Sequence, residues 1–509
     1  MATIPDLLSA GGDADPALLV PGDDGWAAIT YGELRGQVAR LAGQLRGAGI
    51  GPQDRVAIVL PNGPEAAIAF LAVSSCAVAA PLNPQFREAE FAFYLRDLGA
   101  RSIITRDGFA PEATAAAAEG TLRLSLEGAP GTLRLTAGGS ALPLRDAEPP
   151  GGDATALVLH TSGTTARPKM VPLLHANLAA SARNVAETLA LAPADRCMNV
   201  MPLFHIHGLV ACVLASLASG GSVACSPGFD AFRFRDWLGA ARPTWYSAVP
   251  TMHQIVAGRA AREPMTTPGE RLRFVRSSSA ALPLPVLEQA EAAFGAPMVE
   301  AYGMTEASHQ IATNQPPPGA RQPGSVGTGG RVQVAVLDAA GRQLPAGQPG
   351  EVVIKGASVF AGYEANPGAN ADAFIDGWFR TGDEGYLDAG SFLTLTGRLK
   401  EMINRGGEKV APAEVEEALL RHPGIAQAVV FAVPHERLGE EVGSAIVAAA
   451  GAAPSEAEVQ RFVARYLAEF KVPRTIVFVD ELPRGATGKL QRIGLAERLG
   501  LVADGRPPS

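Results

Sequence analysis

At 509 residues the chain is too long for one simple core, and at roughly 150 residues per domain it divides into about two to four globular units. Apolar residues make up 47% and charged ones 18%, an ordinary globular mix that excludes wholesale disorder. A formal net charge of −8 without any run of Lys or Arg excludes a general nucleic-acid or anionic-membrane surface, because such partners need a concentrated basic face.

The opening Met1-Ala-Thr-Ile-Pro-Asp6 has neither the cationic nor the apolar region of a signal peptide, so the expected location is the cytoplasm. Apolar runs at 56–60, 102–105 and 155–159 predict buried strands, and the Ala/Leu-rich stretches 64–78 and 176–190 predict helices between them. That alternation is the pattern of α/β architecture. From Arg196 to Asp230 no charge intervenes, but Pro202, His205, His207, Gly220-Gly221 and Pro227 interrupt the stretch. A buried helix followed by a strand is predicted there, not a membrane span. Cys76, Cys197, Cys212 and Cys225 show no metal or disulfide spacing and read as reduced core cysteines.

After about Arg321 the texture changes to short alternating strands at 332–337, 350–354 and 392–396, broken by Gly, Pro and Asp. This predicts a small antiparallel or barrel-like subdomain. Beyond Pro412 the order helix 413–421, strands 425–433 and 442–449, helix 456–469 and strand 475–479 predicts a separate α+β unit. The boundary falls in Thr396-Gly-Arg-Leu-Lys400, giving domains 1–398 and 399–509.

Only six of the 43 basic residues are lysine, and a compact ammonium is not interchangeable with a guanidinium at a tight phosphate site. Lys169 ends the segment Leu157-Val-Leu-His-Thr-Ser-Gly-Thr-Thr-Ala-Arg-Pro-Lys169, an apolar strand followed by Gly and small hydroxyl residues. Backbone N–H groups and hydroxyls of such a loop surround a polyphosphate, although similar clusters are often plain turns. It is not a Walker-type loop, since the required glycines and helix-opening Lys-Ser are missing.

Four further motifs follow in order: Tyr302-Gly-Met-Thr-Glu306, Thr381-Gly-Asp383, Gly397-Arg398 and Pro483-x4-Gly488-Lys489. Together with Thr161-Ser-Gly-Thr-Thr165 and Lys169 they resemble, over essentially the whole chain, the adenylate-forming superfamily of acyl- and aryl-CoA synthetases, luciferase and adenylation domains. The resemblance implies two α/β subdomains plus a small β-barrel subdomain, followed by a mobile C-terminal α+β domain. It implies an ATP-dependent acid–CoA ligase that forms an acyl-AMP, releases pyrophosphate and passes the acyl group to CoA, with Mg²⁺ assisting.

By the same resemblance, Thr161, Ser162, Gly163, Thr164, Thr165 and Lys169 grip the β- and γ-phosphates, Thr305 meets the α-phosphate, and Glu306 holds the metal. Tyr302 stacks on adenine with Ser279, Ala280 and Ala281 along the other face, flanked by Glu300 and Ala301. Asp383 accepts the ribose hydroxyls with Arg398 nearby; taken alone, it reads as a turn aspartate. Lys489 is implied as the catalytic lysine and Lys400 as the hinge; outside that resemblance each reads as an exposed surface charge. Arg405, Gly406 and Gly407 fall in the loop 404–409 that lines the pantetheine path.

On the acyl side, Met201-Pro-Leu-Phe-His-Ile-His-Gly208 matches the family segment whose histidine, here His205, is implied to lie near the incoming carboxylate, and it adds His207. Ser277, Ser278 and His309 bring more polar groups, which suit a small polar or dicarboxylic acid better than a fatty chain. The wording of these segments most resembles oxalate–CoA ligases, with His309 facing the distal carboxylate; the alternative is a structural His capping a helix after Glu306. Met170 and Ala301 depart from the family's usual Gly and Asn. Competing readings are an enzyme loading an acyl-carrier protein, a medium- or long-chain fatty acid–CoA ligase, and a nucleotide-binding module without chemistry. A monomer or homodimer, with no nucleic-acid partner, is expected.

Overall fold

The computed structural model describes residues 1–22, 25–146, 148–161, 168–260, 272–483 and 492–501. Among these, four sheets form. The first orders strands His309–Thr313, Met298–Met304, Phe274–Ser277, Trp245–Ala248, Arg196–Asn199, Ser222–Cys225, Pro16–Gly22 and Gly25–Thr30 side by side. It is parallel from Met298–Met304 through Pro16–Gly22, with an antiparallel strand at each edge. The second sheet places Arg55–Ile58 at its centre, between Val78–Pro81 and Ser102–Thr105. Its central strands are four residues long and buried throughout or nearly so, because helices cover both faces and every side chain must be apolar or small.

Helix Pro64–Ser74 is buried on all sides, as its Ala-Ala-Ile-Ala-Phe-Leu-Ala-Val run dictates. It ends before the expected 78, because Val78 is already the first residue of the next strand. The uncharged stretch forms a π-helical segment His207–Leu214, a helical turn Ala215–Ala218 and strand Ser222–Cys225, with Cys197, Cys212 and Cys225 buried around it. No described helix is long and apolar enough to cross a membrane.

The third, antiparallel unit is a five-stranded sheet of Gln333–Leu337, Gly350–Lys355, Phe374–Ile375, Trp378–Leu387 and Leu393–Arg398. Strands from Ile403 onward pair in a separate sheet around the long hairpin Ile425–His435 and Gly439–Ala448, packed on helix Pro412–Leu420. The segment read as a loop at 404–409 is instead a hairpin of Ile403–Arg405 and Glu408–Val410. Its turn works because Gly406 and Gly407 take φ of +62° and +98°, which side-chain-bearing residues resist. The helix expected over 456–469 stops at Val463.

Candidate active site

Parallel strands share a carboxyl edge, and ligands of open α/β sheets bind outside it. Residues leaving that edge of the first sheet are His205 and His207, Ser277 to Ser279, and Tyr302 to Glu306. The chain order of the motifs is thus converted into one spatial row.

At one end of this row, Tyr302 is 8% exposed and donates its hydroxyl to Asp383, whose other oxygen takes Arg398 Nε at 2.9 Å. Burial first, then the Asp383 charge, pushes the Tyr302 phenol far up, so it stays a donor; Asp383 in turn raises Arg398. Asp383 and Arg398 face each other directly across paired strands, which is why Thr381-Gly-Asp383 and Gly397-Arg398 act as one unit. Ser279 has φ +74° and is followed by exposed Ala280 and Ala281, a lip at the end of the strand. Glu300 turns away: its carboxyl accepts from Gly324 N at 3.1 Å, and burial pushes it up to about 8. Ala301 is buried and pairs with Thr313.

Of the residues expected to hold phosphates, Thr161 and Lys169 are direct partners across an antiparallel strand pair. Ser162, Gly163, Thr164 and Thr165 lie outside the described residues. The Lys169 ammonium sits over the Tyr363 ring at 4.5 Å, and Tyr363 donates to Glu306 Oε1 at 2.9 Å. Thr305 and Glu306 occupy a single 3₁₀ turn, held by Phe360 N donating to the Glu306 carbonyl at 2.8 Å. Tyr363 was missed by motif reading; its signal was an aromatic in Phe360-Ala-Gly-Tyr363 just after a strand, too generic to stand out.

Two imidazoles expected on the acyl side come together: the rings of His207 and His309 lie 4.9 Å apart, both buried. His207 is fixed at both nitrogens, Nδ1 to Ser279 Oγ at 3.0 Å and Nε2 to Ser247 Oγ at 2.7 Å. Ser277 and Ser278 are buried with hydroxyls that find no partner among the described residues. No helix follows Glu306 for His309 to cap: Ser308 takes φ +53°, His309 φ +104°, and a strand begins. The two positive φ values are local strain of the kind that concentrates at working sites. Gly303 makes the tight return possible, since a Cβ there would lie 1.9 Å from the His309 carbonyl oxygen. His205 is half-buried two residues before His207, its ring against Phe204 at 4.9 Å.

Lys400 lies exposed in the turn after Arg398, while Arg405, Gly406 and Gly407 sit on the separate hairpin, with Arg405 held by Glu441 at 2.5 Å. Lys489 lies outside the described residues. Just beyond it, half-buried Arg492 bridges Glu416 at 2.8 Å and Glu401 at 3.3 Å, the latter next to Lys400 in the chain.

Residues 10–364 match the AMP-binding enzyme family, and 414–489 match the AMP-binding enzyme C-terminal domain. The chain is 42% identical to an oxalate–CoA ligase of Arabidopsis thaliana, over 91% of this chain and 92% of that one. It is 40% identical to an oxalate–CoA ligase of Saccharomyces cerevisiae over 94% of each chain. The ATP-bound crystal structure of MatB from Rhodopseudomonas palustris superposes with a TM-score of 0.87 at 31% identity, covering 97% of this chain and 98% of that one.

Proposed function

The chain belongs to the AMP-binding enzyme family and is an ATP-dependent acid–CoA ligase; on that premise we propose that its acid is oxalate or another short dicarboxylate. The carrying observation is the buried polar cluster of His207, His309, Ser277 and Ser278. An alkyl chain laid against this cluster would keep the Ser277 and Ser278 hydroxyls, which find no partner among the described residues, desolvated at a cost of about 1–3 kcal/mol each. A second carboxylate supplies acceptors for them. The names of the two oxalate–CoA ligases support the same reading.

In the first half-reaction the acid's carboxylate attacks the α-phosphorus of ATP and pyrophosphate leaves; in the second, the CoA sulfur displaces AMP. In this reading Thr161 to Thr165 and Lys169 hold the outgoing phosphates and Thr305 the α-phosphate. Tyr302 lies against adenine, with Ser279, Ala280 and Ala281 on its other side. Asp383 and Arg398, already locked to Tyr302, take the ribose. Mg²⁺ suits Glu306, whose carboxylate Tyr363 orients and whose remaining ligands the phosphates provide. The ion, when bound, neutralises charge on the departing pyrophosphate. His205 meets the incoming carboxylate, and Lys489 meets the developing charge. Lys400 serves as hinge between domains 1–398 and 399–509, a boundary supported by the change of sheet after Arg398, and Arg405, Gly406 and Gly407 line the CoA path.

The test is pyrophosphate release with CoA across C2 to C18 mono- and dicarboxylates. Oxalate or a short dicarboxylate leading the series is the expected result, and a fatty acid in the lead overturns it. Running the same acids with an acyl-carrier protein in place of CoA tests the acceptor.

A further inference from the structure

Arg276 is wholly buried in strand Phe274–Ser277. Its Nη1 donates to Ser247 Oγ at 3.3 Å and its Nη2 to Gln310 Oε1 at 3.2 Å, both neutral acceptors, while Nε has no hydrogen-bond partner among the described residues. Among the described residues no carboxylate forms an ion pair with it. Burying a cation without a counter-ion is costly, and an aliphatic side chain would serve the core at that position at least as well. Burial pushes the guanidinium down only to about 10, so it remains charged near neutrality.

The hydroxyl that Arg276 touches is the one that holds His207 Nε2 at 2.7 Å. Ser247 and Arg276 are direct partners across adjacent parallel strands, so the register itself delivers the charge to the acyl side. Receiving an N–H from Arg276 leaves the Ser247 hydroxyl to donate to Nε2, and Nδ1–H then donates to Ser279. A buried positive charge thus stands on Arg276, behind the imidazole of His207, whose ring lies 4.9 Å from that of His309.

We propose that Arg276 is a positioning and specificity residue, the buried counter-charge for the second carboxylate of the substrate, acting through Ser247 and His207. The proposal rests on the dicarboxylate reading above. An uncharged tail leaves the guanidinium uncompensated, whereas a distal carboxylate neutralises it. Across roughly 7 Å at an effective dielectric near 20, this attraction corresponds to about a fiftyfold preference.

The experiment compares wild type, Arg276→Met and Arg276→Lys in the full-length enzyme, with oxalate and acetate as acids. Pyrophosphate release and CoA-ester formation are both measured. Arg276→Met is expected to lower the oxalate-to-acetate ratio of kcat/KM by about fiftyfold, mainly through KM for oxalate, and Arg276→Lys to restore most of it. An unchanged ratio in Arg276→Met, or Arg276→Lys no better than Arg276→Met, overturns the proposal. Should Arg276→Met fail to fold, Arg276→Lys decides: a folded variant that has lost the preference overturns it, and one that keeps it supports it. A wild-type enzyme without any preference for dicarboxylates removes the underlying reading as well, a result distinct from the variants' behaviour.

Discussion

The Lys169 ammonium lies 4.5 Å from the centre of the Tyr363 ring, and the hydroxyl of that same ring donates to Glu306 at 2.9 Å. One aromatic side chain thereby positions both the cation and the carboxylate assigned to the phosphate end. Tyr363→Phe keeps the ring beneath Lys169 and deletes only the bond to Glu306. A hydrogen bond to a charged group contributes about 1.5–3 kcal/mol, so the Mg²⁺ concentration for half-maximal ATP–pyrophosphate exchange is expected to rise about tenfold or more. Tyr363→Ala should also raise KM for ATP; Mg²⁺ dependence unaltered in Tyr363→Phe would remove the orienting role.

The return of the chain at Gly303 is sterically closed to any side chain, with the His309 carbonyl oxygen 1.9 Å from where a Cβ would stand. Gly303→Ala must push apart the strands that bring His309 to His207. We expect kcat/KM for the preferred acid to fall at least a hundredfold, equivalent to about 2.7 kcal/mol, and thermal stability to fall as well. Steady-state kinetics together with a melting curve check this, and near-wild-type turnover would contradict it.

What was legible in the sequence was what is local. Thr161 to Lys169, Tyr302 to Glu306, and Thr381 to Asp383 are contiguous strings that can be read without knowing the fold. Arg276, Ser247 and Gln310 were not legible as a unit, because strand register joins residues about thirty positions apart. Tyr363, which lies in no strand, was hidden because its local motif is generic and its partner Glu306 is 57 positions away. His309 was open to two readings, since φ values at Ser308 and His309 decide between helix and strand and no residue type there announces them. The hairpin 403–410 was missed because paired glycines mark a tight turn and a loop alike.

Acid and alkali should destabilise the protein through different residues. Burial lowers His175 and His253 from 6.5 to about 4; His175 Nδ1 accepts from Ile4 N at 3.2 Å, and His253 Nδ1 lies 3.0 Å from the Tyr246 hydroxyl. The unfolded chain binds protons at these groups below pH 6.5 and the folded one does not until about 4. Their stabilisation is therefore complete above 6.5 and falls between 6.5 and 4 by about 1.4 kcal/mol per unit for each group. Glu300 has the opposite sign: raised from 4.5 to about 8, it withdraws stability as pH climbs through that window. Denaturant melts of His253→Gln should show a flatter acid limb. Those of Glu300→Gln should show a gain over wild type that grows from pH 5 to 8; parallel profiles would refute both assignments.

The turn at Lys400 is short and tied at both ends, with Leu399 N donating to the Gly382 carbonyl at 3.0 Å and the Arg398 carbonyl accepting from Glu401 and Met402. Proline at 400 bars Leu399 from the helical region and freezes one orientation of whatever pivots there. Lys400→Pro is expected to spare one half-reaction and reduce the other at least tenfold, a loss of about 1.4 kcal/mol. Separate assays of pyrophosphate exchange and of thioester formation from preformed acyl-adenylate read the two. Unchanged overall turnover would remove Lys400 as the hinge.

Lys489, assigned on sequence resemblance alone, carries the sharpest expectation. When a carboxylate attacks the α-phosphorus, two anions approach and charge flows onto pyrophosphate. One ammonium about 4 Å away, at an effective dielectric near 20, contributes on the order of 4 kcal/mol. Lys489→Ala should therefore slow acyl-adenylate formation about a thousandfold while leaving thioester formation from preformed adenylate largely intact. Lys355→Arg, on an exposed position of strand Gly350–Lys355, serves as the control expected to change neither step. Equal loss in both half-reactions of Lys489→Ala would show a lysine needed for the fold or for both steps, and the assignment to the first step would be withdrawn.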